Sequence, residues 1–158
     1  MSLGCPKNLV DSEVMLGTLS RQGYSITAQK EDADVIVVNT CGFIDSAKKE
    51  SIDTILEMAE LKTQGNCKKL VVAGCLAERY RREIQKEIPE IDFIFGPDEL
   101  GRVLEAVRLD SSATIPDVSI DALYTSTEVP TIPRILTTPS HMAYLKISEG
   151  CEIGRAHV

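Results

Sequence analysis

Three short apolar runs, at 1–4, 35–40 and 70–74, each close on a small or polar residue and lead straight into a cysteine: Cys5, Cys41 and Cys75. The intervals between these thiols are 35 and 33 residues, room for one helix and its turns in each gap. If the runs are parallel strands joined by helical crossovers, all three thiols leave the same carboxyl edge of one sheet. Few folds satisfy that constraint.

The rest of the pattern agrees with a wound α/β sheet, because short apolar runs alternate with helical periodicity. Helices are expected over 9–22, closing at Gly23 as a C-cap residue, over 44–62 with Ile52, Ile55, Leu56 and Ala59 as the buried stripe, over 76–88 ahead of Pro89, and through Leu100, Val103, Leu104 and Val107. Besides the first run, strands are expected at 24–27, 35–39, 69–73 and 93–95, each β-branched or aromatic enough for a buried strand. From 109 to 142 the pattern gives way to Ser, Thr, Asp and four of the seven prolines, the composition of a linker or a wrapping arm. Residues 143–148 then read as the first strand of a second domain.

At 158 residues and 43% hydrophobic composition the chain supports one ordinary core. A net charge of −7 without a Lys/Arg-rich block gives no electrostatic footprint for nonspecific nucleic-acid binding. Neither end carries an apolar stretch of membrane-spanning length, and Met1 is not followed by a signal-peptide pattern, so a cytoplasmic protein is expected. In a reducing compartment five cysteines, an odd number, point to free, catalytic or metal-bound thiols rather than a disulfide framework. No GxGxxG or GxxxxGK[ST] loop follows any strand, which argues against a simple nucleotide-binding domain.

Structural zinc sites take four ligands in paired short spacings, which this chain lacks. Three widely separated thiolates suit an iron-sulfur cluster with one iron open to an exogenous ligand. Helices beginning after the cysteines would add their positive dipole ends to an anionic cluster. The competing reading is three small buried residues at tight strand-helix turns, since unpaired cysteine is commonly buried. Spacing alone leaves both open.

The motifs SLGCPKNLVDSE (2–13), VNTCGFI (38–44) and VAGCLAERY (72–80) resemble the three cluster-binding segments of the radical S-adenosylmethionine methylthiotransferases, and YLKISEGC (144–151) resembles the strand leading into that family's CxxxCxxC motif. Cys5-Pro6-Lys7-Asn8 is similar to the branch that modifies protein twelve of the small ribosomal subunit, whereas the transfer-RNA branch typically has Cys-Gln-Met-Asn there. The resemblance implies a Rossmann-like or flavodoxin-like open sheet with helices on both faces, followed by the first strand of a truncated radical barrel. It implies one 4Fe-4S cluster on Cys5, Cys41 and Cys75, and a second, S-adenosylmethionine-binding cluster of which Cys151 is the first ligand. The implied reaction of the intact enzyme replaces a β-carbon hydrogen of an aspartate in the ribosomal protein with a methylthio group. The sulfur donor is not specified, and the chain alone is expected to be inactive.

Expected boundaries are 1–108 for the cluster-binding domain, 109–142 for the linker and 143–151 for the start of the second domain. The remainder, 152–158, departs from the family's CxxxCxxC continuation and is expected to be a non-native tail: ATC-GGA-AGA-GCA-CAC-GTC, the start of a common sequencing adapter, encodes residues 153–158. Relatives of this kind also carry apolar residues ahead of Ser2, so a clipped first strand is expected. The alternatives are a transfer-RNA methylthiotransferase and a non-enzymatic iron-sulfur or redox-thiol module.

Other polar residues have two readings each. Asp11, Ser12 and Glu13 either contact cofactor or substrate or complement the dipole of a first helical turn. Asn39 and Thr40 orient the Cys41 loop or satisfy a turn. Glu78 and Arg79 are candidates to line the crevice, and Tyr80 fits the core stripe better. Cys67 is expected to be a bystander, and His141 and His157 are not expected to be ligands.

Overall fold

The computed structural model describes residues 1–108 and 133–147. Its centre is a parallel sheet of β1 (Val35–Thr40), β2 (Lys69–Gly74) and β3 (Phe93–Phe95), in that order. The register pairs Val37 with Val71 and Thr40 with Gly74, then Ala73 with Phe95. Between the strands run α2 (Asp45–Gln64) and α3 (Cys75–Glu87), preceded by α1 (Pro6–Arg21) and followed by a 3-10 turn at Pro97–Arg102 and α4 (Val103–Val107).

Alternation along β2 divides the core in two. Leu70 and Val72 point to one face and join Ile36, Val38, Ile55, Met58, Leu76 and Ile84 from the flanking strands, α2 and α3. Val71 and Ala73 point to the other and pack with Met15, Leu19, Phe95, Val103 and Leu104 from α1, β3 and α4. Helices therefore cover both faces, as the sequence pattern predicts, and four of the β2 side chains, Leu70 to Ala73, have no exposure to water. Near-continuous hydrophobicity is what a doubly covered parallel strand requires.

Helix α1 starts three residues earlier than periodicity alone suggests. Pro6 occupies its first turn, where the missing N–H would have had no intrahelical partner, and Cys5 is the extended N-cap. The helix closes at Gln22, with Gly23 at φ +86°.

Three expected strands do not form as strands. The first run shrinks to a parallel bridge between Ser2 and Asn39, supported by Leu3 N to Asn39 O and Asn39 N to Met1 O, both 2.9 Å. Residues 24–27 are irregular, with Tyr24 and Ile26 exposed. Both this segment and residues 35–37 of β1 line a cavity of about 720 Å³. Residues 143–147 are likewise irregular, with Leu145 81% and Ile147 87% exposed, so the barrel strand is not seen there. A strand needs a backbone partner as well as a suitable composition. The expected Cys151, residues 109–132 of the linker and the 152–158 tail lie outside the described residues.

Candidate functional site

The parallel register brings the cysteine turns together. Thr40 and Gly74 are paired residues at the ends of β1 and β2, and Cys41 and Cys75 are the next residue in each case. The Ser2 to Asn39 bridge aligns the first run beside β1 in the same direction, so Cys5 leaves the same edge. Cys5 is the N-cap of α1 and Cys75 opens α3, which places two of the three thiols at helix N-termini. Cys41 is buried, and Cys5 and Cys75 are partly exposed.

Glycine lets these turns approach one another. Gly4 has φ +86°, and a Cβ there would sit 2.8 Å from Cys41 Sγ. Gly74 has φ +96°, and a Cβ would collide with Asn39 Oδ1 and the Thr40 carbonyl. In both places the left-handed backbone and the close neighbour exclude a side chain.

Neutral hydrogen bonds hold the turns in place. Asn8, only 1% exposed, donates from Nδ2 to Leu3 O and Thr40 O, each at 2.9 Å, and the Cys75 thiol donates to its Oδ1 at 3.9 Å. One side chain thus touches all three cysteine-bearing turns. Asn39 Nδ2 donates to Asn8 O at 2.9 Å and to Ser12 Oγ at 3.0 Å, and Thr40 Oγ1 donates to Ala73 O at 2.6 Å. Ser51 of α2 accepts from Cys41 N at 3.1 Å and donates to Cys41 O at 3.0 Å. Arg79 reaches the same loop through Gly42 O at 3.3 Å.

Asn39 and Thr40 satisfy backbone carbonyls of α1 and β2, with Ser12 as a further partner of Asn39, and the side chains bonded to the Cys41 loop itself are Ser51 and Arg79. Asn8 and Ser51 were not singled out by sequence reading. Their partners lie 5 to 67 residues away for Asn8 and 10 away for Ser51, and no local pattern encodes such contacts. Asp11 and Glu13 are engaged by residues 134–146 rather than by the cysteine edge. Cys67 is buried in the α2–α3 core with its thiol on Lys69 O at 3.2 Å, and Tyr80 packs against that core with Lys48 Nζ 5.8 Å from its ring centroid. His141 is exposed.

Among the described residues no three His, Cys, Asp or Glu side chains are gathered closely enough to hold one metal ion. A cluster makes a different demand, since each thiolate binds its own iron and the donors need not converge on one point. The donor chemistry fits that demand: thiols on one edge, two at positive helix ends, with uncharged amides and hydroxyls among the groups that position them.

An open parallel α/β unit with cysteines on three adjoining strand-end turns defines a thiol-edged domain, a class apart from the glycine-loop nucleotide binders. Residues 1–96 match the model of the family described as "Uncharacterized protein family UPF0004", and the chain belongs to that family. Over 96% of its length it is 53% identical to a protein of Solibacter usitatus named ribosomal protein uS12 methylthiotransferase RimO. Proteins of the same name from Koribacter versatilis and Desulforamulus reducens are 45% and 52% identical over the same share of the chain. The chain spans 31%, 38% and 34% of the lengths of these three relatives, so their whole-protein activity extends well beyond the region compared.

Proposed function

We propose that this chain is the amino-terminal part of a methylthiotransferase acting on an aspartate of ribosomal protein uS12, with Cys5, Cys41 and Cys75 as the ligands of a 4Fe-4S cluster. The observation that carries the reading is the delivery of three thiols to one sheet edge by the β1–β2 register and the Ser2 bridge. Identity near 50% to the uS12 methylthiotransferases, and the Cys5-Pro6-Lys7-Asn8 segment, favour the ribosomal protein over transfer RNA as substrate.

In this reading the chain holds and orients. Cys5, Cys41 and Cys75 supply the thiolates, and Asn8, Asn39 and Ser51 fix the turns that present them. Arg79, on Gly42 O, places a positive charge beside the Cys41 loop, favourable to an anionic cluster. Cys151 is the first ligand of a second cluster completed by residues of a longer protein. When bound, the clusters and S-adenosylmethionine supply the sulfur and radical chemistry that an unactivated C–H bond needs and that side-chain acids and bases do not provide. The ribosomal substrate places the enzyme in the cytoplasm, and among the described residues no helix is long and apolar enough to cross a membrane.

Anaerobic reconstitution with iron and sulfide tests the assignment. About four irons and four sulfides per chain, with a Mössbauer spectrum of a cubane cluster, are expected for the wild type. None should remain in the Cys5→Ala/Cys41→Ala/Cys75→Ala variant. A folded wild-type chain that takes up no iron would leave the cysteines as packing residues.

A further inference from the structure

Two carboxylates in the middle of α1 are withdrawn from water, Asp11 at 2% and Glu13 at 0% exposure. Buried ionised carboxylates persist only where they are paired and hydrogen-bonded. Both find their partners far along the chain. Glu13 Oε2 accepts from Arg134 Nε at 2.9 Å and Nη2 at 2.6 Å, while Oε1 accepts from Thr137 N at 2.6 Å and Thr137 Oγ1 at 2.9 Å. The Glu13 carbonyl accepts from Ile135 N at 3.1 Å. Asp11 Oδ1 takes Lys146 Nζ at 2.6 Å, and Arg134 Nη2 also donates to Tyr144 O at 2.8 Å, tying the two ends of the segment together. One helical turn beyond Glu13, a Cβ on Gly17 would run into the backbone of Pro133 and Arg134.

The polarity of residues 133–147 is inverted relative to ordinary packing. Arg134, Thr137 and Lys146 turn inward to α1, whereas Leu136, Leu145 and Ile147 are 54%, 81% and 87% exposed. Burial of these large apolar side chains is therefore not what seats the segment. Charge pairing, backbone hydrogen bonds and the flat surface at Gly17 remain as the seating forces.

We propose that Asp11, Glu13 and Gly17 form a docking surface on α1 for residues 133–147, and that this charged clasp fixes where the following chain departs relative to the helix that Cys5 caps. Asp11 and Glu13 are thereby positioning residues for that chain and not cofactor or substrate contacts. The docking itself stands whether or not the cysteines bind iron.

Hydrogen exchange on the 158-residue chain, read by mass spectrometry, tests this. In Arg134→Met, the amides of Ile135 and Thr137 should exchange at least about tenfold faster, with α1, β1 and β2 unchanged. Glu13→Gln should do the same. The double variant should lose less than the product of the two single effects, because either change removes the shared Arg134–Glu13 pair. Arg134→Lys, retaining charge without the bidentate fork, should restore part of the protection. Unchanged protection in Arg134→Met, or a double variant whose loss is the product of the singles, would overturn the clasp. Should Glu13→Gln fail to fold, Arg134→Met and Lys146→Met carry the test, since both lie on the docked segment and outside the sheet.

Discussion

Asn8 in the first turn of α1 and Asp11 and Glu13 in the turns after it are all buried, yet they are secured by different chemistry. Around Asn8 the bonds come from an amide, hydroxyls and backbone carbonyls, and a glycine lets the neighbouring turn approach. At Asp11 and Glu13 they come from full charges neutralised by Arg134 and Lys146. A fixed carboxylate beside three thiolates would oppose an anionic cluster, whereas a neutral amide leaves the charge of the site to its occupant. Charge pairs serve better where a segment must be held in one register, because a broken buried pair leaves a costly unpaired ion. One helix is thus held by neutral bonds beside Cys5 at one end and by charge pairs in its middle.

The sharpest way to break the neutral region is at Gly74. Gly74→Ala forces an L side chain into a left-handed backbone and against Asn39 Oδ1 and Thr40 O. A loss of about 3 to 5 kcal/mol in chemical denaturation is expected from strain plus overpacking. A loss under about 1 kcal/mol would show that the turns tolerate movement and that their close approach is not required. Asn8→Ala comes next. It removes the donor to Leu3 O and Thr40 O and the Asn8 contact of the Cys75 thiol, for about 2 to 4 kcal/mol. Its diagnostic signature is local: alkylation of Cys5, Cys41 and Cys75 should lose site-to-site differences as the three turns uncouple, while buried Cys67 keeps its protection. Asn8→Asp should not rescue, because a carboxylate cannot donate to either carbonyl.

Sequence patterns reveal the two regions unequally. The strands at 35–40 and 69–74 and the helices after them are legible because apolar spacing reports a face, although Leu56, expected on the buried stripe of α2, is exposed and Met58 takes its place; parallel pairing carries Cys41 and Cys75 to one edge. The segment 24–27 has strand composition but no neighbour to pair with, and residues 143–147 have strand composition but are drawn to α1 through Lys146. Pairing is a tertiary property that composition cannot report. For the same reason the sequence leaves Asp11 and Glu13 open between cofactor or substrate contacts and dipole-complementing residues of a first turn. Their partners are 121 to 135 positions away, and nothing local distinguishes a solvated acid from a clasped one.

The smallest expected effect is one of pH, and it separates the regions without mutation. Burial opposes the Glu13 charge, but the Thr137 amide, the Arg134 guanidinium and the Thr137 hydroxyl outweigh it and hold its pKa below the ordinary 4.5. Glu99 is lowered to about 2: burial again opposes, and the Gly96 N–H, Arg102 and Arg81 prevail. A folded-state pKa below the unfolded value means that the unfolded chain binds more protons in that interval. The stabilisation is therefore fully present above about 4.5 and is lost as pH falls through the lower folded value. Protection of the Ile135 and Thr137 amides, corrected for the intrinsic pH dependence of exchange, should be flat from about pH 7 to 5 and decline only below the usual carboxylate range. A decline centred on the ordinary 4.5 would mean that Glu13 titrates like a solvated acid, and the charged clasp would then be no stiffer than the neutral bonds around Asn8.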